Sequence, residues 1–222
     1  MTNLWGRRVG FAVLWAAFVY HAFRLAPPDT GHDTTFAQLM TGHGPARNPA
    51  IFAAFSLLGI IPLMYWGLMF PDGRGQRVWA WPFAIGMMAL GSFSLLPYLV
   101  LRRSYATPLA APSSAVVRWF GGRPLGVFVA LALVGLLVYG IGWGDFADYA
   151  HWFRVSNLIN TFTVDFVVLV LLFPALLRDD FARRGVREDS ALARIALALP
   201  LLGPALYLAL RPAEMSGSRS AL

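Results

Sequence analysis

The stretch NLINTFTVDFVVLVLLFPALL, residues 157–177, decides the fold of this chain. It carries a single charged side chain, Asp165. A helix rises about 1.5 Å per residue, so this stretch would be about 30 Å long, which matches the hydrocarbon core of a lipid bilayer. We therefore predict a transmembrane helix here. A carboxylate inside such a helix costs about 3 kcal/mol on insertion scales, so Asp165 marks a candidate functional site.

The composition of the whole chain also indicates a membrane location. Of the 222 residues, 58% are hydrophobic and 13% are charged, and the mean hydropathy is +0.60. Soluble domains are about 45–50% apolar and about 25% charged. We expect the excess apolar surface to lie against lipid, in a bacterial inner membrane or a photosynthetic membrane.

The residue types that are missing exclude several kinds of chemistry. All 18 basic residues are arginine, and the chain has no cysteine. Without lysine there is no retinal Schiff base, and without cysteine there is no disulfide, thiolate nucleophile or iron–sulfur cluster. The arginines are spread over every predicted loop and form no single basic patch, so no nucleic-acid partner is expected.

Five further apolar stretches are candidate spans. Together with 157–177, they predict an all-α polytopic bundle with about six spans in one domain, residues 1–212. The predicted spans are 9–23, 49–70, 78–101, 125–143, 157–177 and 195–210, followed by a polar tail, 213–222, that is expected to be disordered. Alternating sides of six spans would carry seven and eleven arginines. The excess of arginine on the cytoplasmic side then predicts that both ends of the chain face outward.

A polar stripe runs along the predicted helix 157–177. Asn157, Thr161 and Asp165 are four residues apart and Asn160 lies alongside them, so they share one helical face. One interpretation is structural, with these groups bonding neighbouring helices at about 1 kcal/mol or less each. The other is a ligand or proton site in which Asp165 carries a proton, binds a cation or orients a polar headgroup.

The four histidines raise the question of a metal or a pigment. Only His21 lies within an apolar stretch, so the chain cannot supply the pair of histidines that a b-type haem needs. A chlorophyll-type pigment needs one axial ligand, for which His21 is the candidate, and a carotenoid is also possible. His32, Asp33 and His43 share a loop but lack the spacing of metal ligands, so no metal site is predicted.

The run Arg178 to Arg184 resembles a catalytic motif at first sight. Asp179 and Arg183, like Asp180 and Arg184, are four apart, which favours ion pairs along a helix. Enzymes that transfer polyprenyl groups need a second aspartate-rich motif, which is missing. The turn at Asp72-Gly73 also lacks the downstream aspartates of headgroup-transferring enzymes. No catalytic residues are predicted, and a non-enzymatic role is favoured over an enzymatic one.

Three blocks of sequence are similar to a known family. They are residues 48–75 with 81–98, Asp165-Phe166, and the block LGPALY at 202–207. On these blocks the chain resembles a family of small, uncharacterised polytopic integral membrane proteins of cyanobacteria, plastids and other bacteria. The resemblance covers most of residues 48–212 and implies a link to photosynthetic or energy-converting membranes, without implying a reaction.

Two functional hypotheses follow. The first is an accessory or assembly subunit of a larger membrane complex, such as a photosynthetic or energy-converting one, whose apolar helix faces contact partner subunits, lipids or pigments. The abundant aromatic residues, the few polar groups and the lack of a catalytic set motivate it. The second is a small transporter or enzyme for a lipophilic substrate, with Asp165 as its intramembrane proton or cation site.

Overall fold

The computed structural model describes residues 4–28, 34–73, 76–103 and 119–213. Within these ranges helices are the only regular secondary structure, which confirms the all-α fold class. The helices are α1 (Leu4–Tyr20, extended by a π-helical turn His21–Leu25), α2 (Thr35–Thr41), α3 (Pro49–Asp72), α4 (Ala80–Leu90), α5 (Ser92–Leu101), α6 (Arg123–Trp143), α7 (Phe146–Val155), α8 (Asn157–Leu172), α9 (Pro174–Arg184), α10 (Ala191–Ala198) and α11 (Leu202–Leu210).

Three helices of the described chain are long and apolar enough to cross a membrane. They are α3, α6 and the continuous pair α8–α9, and they match the spans predicted at 49–70, 125–143 and 157–177. Helix α3 is the axis of the molecule, because it packs against α4, α6, α8 and α9. Tyr65 of α3 illustrates this packing: its ring stacks on Phe173 at 4.3 Å, and its hydroxyl donates to the Leu169 carbonyl at 2.5 Å.

Helices α4 and α5 form a hairpin, residues 80–101, which we call the first hairpin. A straight helix from residue 76 to residue 103 would separate its ends by about 40 Å. Instead, Gln76 Nε2 donates to the Arg103 carbonyl at 2.6 Å, and the Arg103 amide donates to Gln76 Oε1 at 2.9 Å. Ser94 Oγ of α5 bonds the Phe83 carbonyl of α4 at 2.9 Å. The single span predicted at 78–101 is therefore wrong, because the chain reverses at Gly91.

Helices α10 and α11 form a second hairpin, residues 191–210. Leu201 at its tip has a positive φ of 66°. The chain after α11 returns to the end of α9, where Arg184 Nη1 donates to the Pro212 carbonyl at 2.6 Å. The span predicted at 195–210 is thus two helices of 8 and 9 residues. The tail from residue 214 onward lies outside the described residues.

Glycine allows the second hairpin to pack closely on α6. A Cβ at Gly126 would collide with the backbone of Leu208 and Ala209 in α11. Small residues at such positions let two helix backbones approach each other, as is common between membrane helices. Helix α11 therefore lies directly against the first half of α6.

The molecule has two distinct ends. The mouth end holds the openings of both hairpins, the end of α3, the end of α9, and the starts of α1 and α6. Arg8 Nη2 at the start of α1 is 3.4 Å from the Arg102 carbonyl, and Arg123 Nε at the start of α6 donates to the Arg211 carbonyl at 3.1 Å. The far end holds the start of α3, helix α7 and the start of α8. Asn48 Nδ2, at the start of α3, donates to the Asp145 carbonyl, just before α7, at 2.7 Å.

Candidate functional site

Asp165 is buried in α8, against the tip of the first hairpin. Its Oδ1 accepts the backbone N–H of Ser92 at 2.7 Å. This N–H lies at the start of α5 and has no partner within the helix, because the first amides of a helix never do. A carboxylate is also favoured at a helix N-terminus by the helix dipole. Asp165 therefore caps a half-length helix from a neighbouring element.

Gly91 makes this cap possible. Its φ is +48°, in the left-handed region where side chains are strained. A Cβ at this position would also collide with the Asp165 carboxylate. The reversal of the chain and the approach of the carboxylate therefore both require glycine.

The other members of the polar stripe bond to separate partners. Asn157 Nδ2 donates to the Pro27 carbonyl at 2.7 Å, which ties the start of α8 to the segment after α1. Asn160 Nδ2 donates to the Phe153 carbonyl of α7 at 2.9 Å. Thr161 Oγ1 is buried and has no hydrogen-bond partner among the described residues. The stripe lies on one helix as predicted, but its side chains do not converge on one point.

Two of the predicted residues are in contact. His21 Nε2 lies 2.8 Å from Asn160 Oδ1. Since the amide nitrogen of Asn160 donates to Phe153, its oxygen faces the imidazole, so Nε2 is the donor in this pair. A neutral His21 then carries its lone pair on Nδ1. Any axial ligation of a pigment by His21 would have to use Nδ1 or break the bond to Asn160.

A network of buried charges at the mouth end was not predicted. We call it the clamp, and it consists of Asp72, Tyr98, Arg102, Asp179, Asp180, Arg183, Arg184, Tyr207 and Arg211. These residues come from α3, α9 and the mouths of both hairpins. The sequence offers little signal for it, because the members lie far apart along the chain, and contact between them depends on the two reversals.

Asp72 is the first centre of the clamp. Its Oδ1 accepts from Arg102 Nη1 at 2.7 Å and from Arg183 Nη1 at 2.9 Å, and its Oδ2 accepts from the Tyr98 hydroxyl at 2.5 Å. Arg102 also pairs with Asp179 and donates to the Ala175 carbonyl at 2.7 Å. Asp72 thus joins the end of α3 to the first hairpin and to α9.

Asp180 is the second centre of the clamp. Its Oδ2 accepts from the Tyr207 hydroxyl at 2.7 Å, from Arg184 Nε at 2.8 Å and from Arg211 Nη1 at 3.2 Å. Arg211 Nη1 also donates to the Gly67 carbonyl of α3 at 3.0 Å. Asp180 thus holds the second hairpin to α9 and α3.

The clamp changes the interpretation of the run 178–184. The predicted pair of Asp180 with Arg184 is present at 2.8 Å. The predicted pair of Asp179 with Arg183 is wrong, because Asp179 pairs with Arg102 and Arg183 pairs with Asp72. Tertiary partners replace the helical neighbour, since the hairpin mouths bring other charges closer.

Two clamp arginines, Arg102 and Arg211, lie just beyond the ends of α5 and α11, and both stay positively charged. Burial lowers the pKa of Arg102, but the carboxylates of Asp72 and Asp179 outweigh burial and the net pKa is raised. Burial lowers the pKa of Arg211, and Asp180 partly opposes this. Arginine stays protonated under such shifts because its ordinary pKa exceeds about 12. Four guanidinium groups therefore face three carboxylates in a site that excludes solvent.

A cavity of about 310 Å³ lies between α3, α6, α7 and α8, in the half of the molecule toward the far end. Its walls are the apolar faces of α3, α6 and α8, and the amphipathic helix α7 covers one side. The lining residues are Ala50, Ala53, Ala54, Leu57, Leu136, Leu137, Gly140, Ile141, Phe146, Tyr149, Thr163, Phe166 and Val167. Asp165 is not among them.

One hydroxyl pair belongs to the lining residues, but its polar atoms add no surface to the cavity, whose lining is apolar. The Tyr149 and Thr163 hydroxyls are 2.7 Å apart, and Thr163 Oγ1 donates to the Ile159 carbonyl at 2.6 Å. Because Thr163 uses its proton on Ile159, Tyr149 is the donor of the pair. Both hydroxyls therefore bond within the protein, and a ligand in the cavity would meet apolar surface.

No group of three potential metal-ligating side chains occurs in the part of the chain that the structure describes. His43 is exposed, next to the 3₁₀ turn that precedes α3. His32 and Asp33 lie outside the described residues.

No protein-family model, curated protein or solved structure matches this chain. The resemblance to small membrane proteins of cyanobacteria and plastids therefore stays a prediction.

Proposed function

We propose that this protein crosses a lipid bilayer four times and inserts two re-entrant hairpins from one side. The crossings are α1 with its π-helical turn, α3, α6 and α8–α9. Support comes from the three long apolar helices and from the two reversals, which return the chain to the end where it started. The proposed topology has four crossings, whereas the sequence predicts six.

The arginine distribution supports an orientation with the mouth end in the cytoplasm. Of the arginines in the described ranges, 12 belong to the mouth end and 3 to the far end, namely Arg24, Arg47 and Arg154. Cytoplasmic loops carry the excess of basic residues. The start of α1 then lies on the cytoplasmic side, opposite to the orientation that six spans indicated.

The function that the geometry supports best is the binding of a lipophilic molecule within the membrane. The cavity of about 310 Å³ carries this proposal, since its size is at the lower end of the range for ligand pockets and its walls are almost entirely apolar. It lies between helices at the depth of the acyl chains in the proposed topology. The apolar lining suits a hydrocarbon-like lipophile.

Analysis of bound lipophiles tests this proposal. Val167 lies at the cavity and is 48% exposed, so Val167→Trp is expected to fill the entrance without disturbing the core. Val127 on α6 is 46% exposed and does not line the cavity, so Val127→Trp is a matched control. We expect solvent extraction and mass spectrometry to find a near-stoichiometric lipophile with the wild type and the control, and little with Val167→Trp. Equal amounts in all three proteins would contradict the proposal.

The lipid-facing side of α6 favours a second candidate, an accessory subunit of a larger membrane complex. Phe128, Leu131 and Ile141 are 57%, 71% and 66% exposed. A groove of about 460 Å³ also runs along this helix beneath Leu202 of the second hairpin. These apolar surfaces suit the helices or pigments of an energy-converting or photosynthetic complex as well as lipid.

Crosslinking tests the accessory-subunit candidate. The chain has no cysteine, so Leu131→Cys introduces a single thiol on this face of α6. A partner subunit is expected to crosslink to Leu131→Cys in native membranes but not to Leu171→Cys on α8. An absorption spectrum of the purified complex would show whether pigments accompany it. Isolation of the protein as a lone, colourless monomer with no crosslinked partner would exclude this candidate.

A further inference from the structure

Three arginines from separate segments meet at the mouth of the first hairpin. The reciprocal bonds between Gln76 and Arg103, at 2.6 and 2.9 Å, join the chain segment before α4 to the segment after α5. Arg77 follows Gln76 directly, and Arg8 of α1 reaches the carbonyl of Arg102. Arg8, Arg77 and Arg103 therefore place three positive charges around this mouth.

Among the residues that the structure describes, no acid forms an ion pair with Arg8, Arg77 or Arg103. Asp72 and Asp179, the acidic side chains nearest to the mouth, are engaged by Arg102 and Arg183 inside the clamp. Arg77 and Arg103 are exposed, and neither forms an ion pair within the described residues. The region is a net cationic surface beside a clamp that itself carries an excess of one positive charge.

Aromatic side chains border the same region. Trp79 and Trp81 at the start of α4 are 69% and 53% exposed, and their rings stack with centroids 6.4 Å apart. Tryptophan prefers the boundary between headgroups and acyl chains, because its ring is apolar and its N–H is polar. Arginines next to exposed tryptophans at this depth are suited to a lipid with an anionic headgroup.

We propose that the mouth of the first hairpin binds an anionic phospholipid of the cytoplasmic leaflet, an inference that rests on the topology proposed above. Arg77 and Arg103 pair with the headgroup phosphate, and Arg8 adds to the positive potential. Trp79 and Trp81 pack along the glycerol and the first methylenes of the chains. Charge complementarity identifies the occupant, because the cytoplasmic leaflet is the one that carries anionic headgroups near basic segments.

Native mass spectrometry of lipid adducts on the full-length protein in detergent tests this site. The probe is phosphatidylglycerol, compared with phosphatidylcholine. We expect the wild type to prefer phosphatidylglycerol, and Arg77→Gln with Arg103→Gln to weaken that binding about fivefold per arginine, or about twenty-five-fold together. The control is Arg47→Gln with Arg154→Gln, which removes the same charge from exposed positions at the far end and is expected to leave the preference intact.

Three outcomes would overturn the proposal: no preference for phosphatidylglycerol, equal weakening in both double variants, or complete displacement of the lipid by millimolar inorganic phosphate. The last outcome would indicate a site for a soluble phosphate. All four substituted arginines are exposed, so both variants are expected to fold. Thiol labelling of exposed positions at the two ends tests the orientation separately, so failure of the lipid site and failure of the topology are distinguishable.

Discussion

Asp165 has a structural role at the start of α5. It supplies the acceptor for the Ser92 N–H, which would otherwise be an unpaired donor in an apolar environment. An unpaired buried donor costs about 1–3 kcal/mol, so this contact accounts for a carboxylate in an apolar helix without any ligand. This supports the structural interpretation of the polar stripe and leaves a proton or cation role as a hypothesis.

Two substitutions at Asp165 separate the structural and functional roles. Asp165→Ala removes the acceptor and is expected to lower the unfolding free energy by about 1–3 kcal/mol. Asp165→Asn keeps an oxygen facing Ser92 and is expected to cost less. Thermal unfolding in detergent measures both. Loss of transport or turnover in a well-folded Asp165→Asn protein would instead support the proton or cation site.

Gly91 is the residue on which the first hairpin depends. Gly91→Ala places a methyl group in a backbone conformation with φ +48° and against the Asp165 carboxylate. We expect the free energy of unfolding to fall by about 2 kcal/mol or more, since backbone strain of this kind costs about 1–3 kcal/mol and the collision adds to it. Gly135→Ala in α6 is the control, because a Cβ there meets nothing within 4 Å. A melting temperature equally unaffected by both changes would argue against the reversal at Gly91.

The tip of the second hairpin is compatible with an apolar environment. Pro200 has no N–H, so this exposed residue leaves no donor unpaired. Its carbonyl accepts from the Leu202 amide at 2.7 Å, and the Leu199 carbonyl accepts from Gly203 at 2.8 Å. Backbone groups in lipid must be paired within the protein. These bonds pair much of the turn's backbone, which favours its placement inside a bilayer, as the proposed topology requires.

The clamp holds the mouths of both hairpins closed. Asp180→Asn would leave three neighbouring arginines short of one counter-charge in a buried site. We expect the free energy of unfolding to fall by about 3–5 kcal/mol, because removing one partner of a buried ion pair leaves the other charge buried without a counter-charge. Unfolding in detergent measures it, with Asp189→Asn at the exposed pair with Arg187 as the control. Similar stability of the two variants would show that the clamp contributes little.

Thiol labelling distinguishes the proposed topology from a six-span bundle. Arg77→Cys, Arg103→Cys and His151→Cys each place one thiol at an exposed position in a chain that has no other. In intact cells, an impermeant maleimide is expected to label position 151 and to spare positions 77 and 103. If residues 80–101 instead crossed the membrane, positions 77 and 103 would lie on opposite sides, and only one of them would be labelled from outside. Labelling of 77 together with 151 would therefore contradict the re-entrant arrangement.

Local composition was enough to predict the helical fold class and the long helices. Length and hydropathy are properties of a segment, so α3, α6 and α8–α9 could be recognised without knowing their neighbours. The polar stripe on α8 was also visible in the sequence, because residues four apart share a face of any helix. The sequence did not show that these residues bond to separate partners: Asn157 to Pro27, Asn160 to His21 and Asp165 to Ser92.

Folding in three dimensions settled the direction of the chain and the partners of its charges. An apolar stretch of about twenty residues has the same hydropathy whether it runs straight or turns back at Gly91 or Pro200. The reversal depends on contacts with Asp165 and α6, which lie far away along the chain. The clamp follows from these reversals: Asp72, Asp180 and Arg211 come together only when both hairpins return to the same end, because pairing of buried charges depends on distance in space.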